Sequence, residues 1–157
     1  METGSVSRIP LQLSRNCVVA SIQIDLSEEV LRQFRSDLLD FLHSSGAGGV
    51  ILDVSGVDVL DLEDFEAIKR TMEMAALMGA RTVISGLRPG VVSALVELEA
   101  DTDGIVAESN LDEAFRAMDE LNSVAKAAEH ETERVELVSE GDEEDESGQN
   151  GPFTDSF

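Results

Sequence analysis

Two rhythms of apolar residues alternate along the chain, one with the period of a strand and one with the period of a helix. "IPLQL" and "CVVASIQI" are β-rich runs separated by "SRN", a pattern that predicts a hairpin. Ser27 then offers an N-cap with Glu28 and Glu29 in the first turn. Val30, Leu31, Phe34, Leu38, Phe41 and Leu42 recur at helical spacing until "SSGAGG" stops the helix. "GVILDVS" is short, β-branched and almost continuously apolar, as strands buried on both faces are. Asp61 is placed to cap a second helix, whose stripe is Leu62, Phe65, Ile68, Met72 and Ala75 and whose end is marked by Gly79. "RTVISG" predicts another buried strand, "RPGVVSALVELE" a short helix with Pro89 near its start, and "GIVAES" a final strand. "SNLD", Ser109 to Asp112, reads as the capping signature of a last helix carrying Leu111, Ala114, Phe115, Met118 and Leu121. Strand and helix alternate from residue 17 to about 125. The expected fold is therefore α/β, a mixed and mostly parallel sheet entered by an N-terminal antiparallel hairpin, with about four helices.

Composition sets the limits of that domain. At 157 residues the chain holds one domain plus a tail, and a hydrophobic fraction of 42% with six Phe but no Trp or Tyr gives a largely aliphatic core. Residues 1–7 read as a flexible N-terminus, 8–127 as the domain, and 128–157 as an acidic disordered tail. The tail combines eleven acidic groups with one Arg among Gly, Ser, Asn and Pro. The formal charge of −22 disfavours nucleic acid and anionic membrane surfaces, so partners should be basic or neutral. Only Lys69 and Lys126 are lysines. That scarcity beside abundant carboxylate suits either a high-salt cytoplasm, where the Debye length falls to ~3 Å at 1 M, or an ordinary acidic protein. Cys17 sits in the apolar run "CVVASI" and reads as a buried, inert thiol. No segment reaches the ~18 apolar residues a membrane span needs, and the expected location is cytoplasmic.

The acidic cluster Asp58, Asp61, Glu63 and Asp64 at the strand-to-helix join invites three readings. A calcium loop would need D-x-D-x-D-G spacing with a Glu at position twelve, which is absent. An acid–base carboxylate pair would need a cleft and one raised pKa, neither of which a sequence shows. There is no Walker motif, and the glycines of "SSGAGG" follow a helix where a nucleotide loop would precede one. His43 and His130 lie in unrelated settings, and Arg88 in "RPG" is accounted for by a turn that starts a helix. No catalytic residue, metal or cofactor is expected. What remains is a surface carrying Glu63, Asp64, Glu66, Lys69, Arg70 and Glu73 on one exposed helix face.

"DVSGVDVLD" running directly into a helix resembles the signature of STAS domains, the anti-sigma-factor antagonist fold. "RIPLQLSRNCVVASIQIDL", "MGARTVISGLRPGVVSALVELE" and "NLDEAFRAM" extend the likeness across about residues 8–121, most closely to the RsbS type of the stressosome. The resemblance implies a regulatory binding protein and not an enzyme. It implies docking of a GHKL-type serine kinase, an anti-sigma-like protein, and assembly with STAS paralogues, as a homo- or hetero-oligomer. In the RsbS type the kinase phosphorylates a Ser immediately after the second Asp, and that position is Leu62 here. "EDFEAIKR" after it contains no Ser, and Thr71 is the nearest downstream hydroxyl. The docking residues the resemblance and the surface pattern together imply are Asp58, Asp61, Leu62, Glu63, Asp64, Glu66, Lys69 and Arg70. The competing reading is a purely structural STAS subunit with no kinase partner.

Overall fold

The computed structural model describes residues 7–144, with side chains described through residue 138. The flexible stretch expected over residues 1–7 lies almost wholly outside them. Strands β1 (Leu11–Ser14) and β2 (Cys17–Ser21) form the antiparallel hairpin, with Ser14 opposite Cys17. Its two-residue turn places Arg15 at φ 51° and Asn16 at φ 61°, the left-handed pair that matches strand twist in a tight hairpin. Asn tolerates that region readily. The Arg15 guanidinium rests over the Phe115 ring at 4.8 Å, which helps fix a residue poorly suited to the conformation.

From β2 onward each strand is followed by a helix: α1 (Glu28–Ser45), β3 (Gly49–Asp53), α2 (Leu62–Leu77), β4 (Arg81–Ser85), α3 (Pro89–Glu97), β5 (Ala107–Glu108) and α4 (Leu111–Glu144). Among the described residues the sheet has five strands in the order β1-β2-β3-β4-β5, parallel from β2 to β5. The expected α/β architecture is what forms. Pleating sends Val18, Ala20, Val50, Leu52 and Ile84 into one core with Phe34 and Leu38 of α1, Phe65 and Ile68 of α2, and Val91 and Leu95 of α3. Alternate residues Cys17, Val19, Ile51 and Val83 are buried on the opposite face, where Ala114 and Met118 of α4 are also buried. Met118 lies so close that a Cβ on Gly49 would come within 2.8 Å of its sulfur. Burial there pushes the Cys17 thiol up, and the Asp119 carboxylate adds to the effect, both favouring the protonated thiol.

The predicted caps form at α1, where the Ser27 hydroxyl accepts from the Val30 amide at 3.2 Å and Gly46 closes the helix at φ 66°. Three expectations are corrected. The run "GIVAES" yields only two paired residues, because Gly104 turns at φ 77° and the Ile105 amide bonds back to Thr102. The cap of α4 is Asn110, whose side chain accepts from the Glu113 amide at 2.9 Å, one residue later than "SNLD" suggests. The backbone over 128–144 is helical, whereas composition alone predicts disorder from 128. That helix continues one already started at Leu111, so it bears no nucleation cost, and Ala, Glu and Leu are good helix formers. Residues 145–157 of the expected tail lie outside the described residues. Among the described residues the chain divides into two compact units, the second beginning at Leu121.

Candidate partner-docking site

The site is built where β3 ends. Asp53 closes the strand with its own carboxylate, which accepts from the Ser55 amide at 3.0 Å. The chain then folds back through a Val57-to-Val54 backbone bond of 2.9 Å. Val57 and Leu60 are buried and anchor the loop in the core, while Val59 between them is 82% exposed. Sequence pattern alone missed Val59, because three apolar residues in four carry no period that tells which one faces water. Asp61 caps α2, its carboxylate accepting from the Asp64 amide at 2.8 Å, which is the expected structural role.

Neighbouring connections brace this turn from two sides. A Cβ on Gly56 would stand 3.1 Å from the Ile22 carbonyl oxygen, a tight approach that glycine relieves where the loop passes the end of β2. Gly86, at φ 80°, would place a Cβ 2.9 Å from Ser55 Cβ. Arg88, just beyond it, donates through Nε to the Ser55 carbonyl at 2.9 Å and through its terminal nitrogen to the Asp58 carboxylate. The "RPG" arginine is therefore a clamp on the acidic turn as well as the lead-in to α3. Asp58, though exposed, is ion-paired.

The remaining site residues separate by environment. Asp61, Glu63 and Glu66 are exposed, Asp64 and Leu62 are half-buried, and Phe65 and Ile68 are buried beneath them. Burial, together with the neighbouring Asp61 and Glu63 charges, pushes the Asp64 carboxyl above its usual range. Lys69 reaches Asp101, at 2.8 Å to the carboxylate and 3.0 Å to its backbone oxygen. That bond pushes the lysine up and holds the Asp101 carboxyl down. Lys69 is thus turned toward the connection after α3, while Arg70 is exposed. Thr71 is buried, and its hydroxyl donates to the Ala67 carbonyl at 3.1 Å. Among the described residues no group of three or more His, Cys, Asp or Glu is arranged to hold a metal ion. No helix among them is long and apolar enough to cross a membrane.

Comparison with known proteins places the chain. Residues 8–114 match the STAS domain family. The chain is 23% identical over 128 residues to the RsbT co-antagonist protein RsbRA of Bacillus subtilis, covering 76% of this chain and 47% of that one. It is 31% identical over 88 residues to RsbRD of the same organism, covering 56% and 29%. It spans about half or less of the length of these curated relatives. A serine-to-glutamate variant of RsbS from Moorella thermoacetica superposes with a TM-score of 0.62 at 26% identity, covering 76% of this chain and 99% of that one. A structure of the stressosome, described as a signal integration and transduction hub, gives 0.64 at 24% identity, covering 72% and 98%. The second likeness bears on the fold.

Proposed function

The chain belongs to the STAS domain family, and from that premise we propose that it is a non-enzymatic regulatory binding protein. Its surface from Asp58 to Arg70 docks a GHKL-type serine kinase, STAS paralogues, or both. The observation that carries this reading is the braced turn. Gly56 and Gly86 let neighbouring backbone pack closely against the turn and Arg88 ties Ser55 to Asp58, while Asp58 and Val59 stay at the surface. A preformed surface loses little conformational freedom on binding. Its chemistry, an apolar tip at Val59 flanked by carboxylates, suits a partner that is basic around an apolar contact.

Leu62 stands where the resemblance puts the phosphoacceptor. No residue from 61 to 70 has a hydroxyl, and Thr71 is buried with its hydroxyl engaged. The surface therefore acts as a binder that is not switched by phosphate at this turn. With a GHKL-type kinase and ATP, peptide mass mapping should find no phosphate on 61–71 while pull-down still recovers the complex. Leu62→Ser should acquire phosphate and bind more weakly, since phosphate adds about −1.5 to −2 charge beside Glu63 and Asp64. Recovery of STAS paralogues but of no such kinase replaces this reading with the purely structural subunit, and phosphate on the wild-type segment overturns the fixed-binder account.

A further inference from the structure

Helices α1 and α2 pack side by side and run the same way, because each leaves one parallel strand and returns to the next. Each carries a glutamate seven residues ahead of an arginine, Glu28 and Arg35 on α1, Glu63 and Arg70 on α2. Seven residues are about two turns, or about 10 Å along the axis, so each pair lies on one side of its helix. All four line a single groove of about 380 Å³ floored by Leu31 and Ala67. Asp64 adds to the acidic end. Arg32 is neutralised by Glu28 at 2.9 Å, whereas Arg35 and Arg70 have no ion-pair partner among the described residues.

The groove is unusual for this molecule. Three of the chain's eleven basic residues face it, opposite three carboxylates, in a protein of charge −22. A net charge of −22 makes two copies repel overall, but this face is neutral and dipolar. A two-fold axis perpendicular to the helices reverses their direction and brings acidic end to basic end twice over. We infer that the α1/α2 groove is a self-complementary surface for a second copy of this chain, with Glu63 and Asp64 of each copy facing Arg35 and Arg70 of the other. This rests on the reading of the protein as an assembly-forming binding domain and names the face that assembles.

The test is sedimentation of the full chain and of two charge-reversed forms, Arg35→Glu with Arg70→Glu and Glu63→Arg with Asp64→Arg. Wild type should form a reversible dimer, each reversed form should associate at least about tenfold more weakly, and an equimolar mixture should recover a heterodimer. A wild type that stays monomeric, reversed forms that associate like wild type, or a mixture that stays monomeric overturns the inference. Because Asp64 is half-buried, a second variant guards against misfolding. Ala67→Cys keeps all the groove's charges and puts one thiol midway between Glu63 and Arg70, where the two-fold brings it to its own copy, so mild oxidation should give a covalent dimer. Monomer alone after oxidation overturns the proposal. Kinase pull-down separates the two readings: a wild type that is monomeric yet binds kinase defeats the groove alone, and an Arg35→Glu form that stays monomeric with Asp58 to Arg70 untouched and still binds none defeats kinase docking alone.

Discussion

Helix α2 and the distal part of α4 are both regular helices, formed for opposite reasons. In α2 five residues, Phe65, Ile68, Thr71, Met72 and Ala75, are buried and Asp61 caps the start. From 121 to 138 no residue is buried, and Val124, Val135, Leu137 and Val138 stand 65% exposed or more. Tertiary packing fixes α2, so the side chains on its outer face have defined positions and can serve as a docking surface. Local propensity and continuation from Leu111 sustain the distal helix. A helix held that way is a weak platform for a site.

The largest effect that would sharpen this contrast is expected from one substitution made twice. Phe65→Asp puts a charge at a position 2% exposed and should cost about 3–5 kcal/mol, enough to abolish cooperative unfolding. Val135→Asp should change stability by less than about 0.5 kcal/mol in urea denaturation. Equal effects would mean that the distal helix is packed after all. Next comes Gly86→Ala, which combines a left-handed backbone with a 2.9 Å approach to Ser55. It should cost about 2 kcal/mol and weaken partner binding by loosening the brace on the turn.

A smaller effect is expected at the Lys69–Asp101 pair. The Asp101 carboxyl is held below its usual range, so it contributes stability above its unfolded value and loses it as pH falls through the folded one. Lys69 is raised, so its share is intact below its unfolded value and is lost as pH rises through the folded one. Asp101→Asn should therefore lower the melting midpoint at neutral pH, with the difference closing in strong acid and in strong base. A difference independent of pH would mean that the pair acts through packing. The smallest effect belongs to truncation after residue 128, which should leave the melting midpoint nearly unchanged while removing helical far-ultraviolet signal. A large fall in the midpoint would erase the distinction between the two helices.

Sequence by itself determined the element order, because burial imposes a period on each segment that reads without knowledge of its neighbours. Ser27, Asp61, Pro89 and Gly79 mark helix ends through local backbone chemistry, and all four act as expected. The site was legible only so far as it is local. Asp61 as cap and the exposed carboxylates follow from spacing along one helix, but the Arg88 clamp on Asp58 joins residues 30 apart and the Lys69–Asp101 bond joins residues 32 apart. Which of Val57, Val59 and Leu60 faces water, and that two arginines from different helices share one groove, depend on how strands and helices meet. Those facts belong to the tertiary structure, since they arise from distances between segments that the order of residues along the chain leaves free.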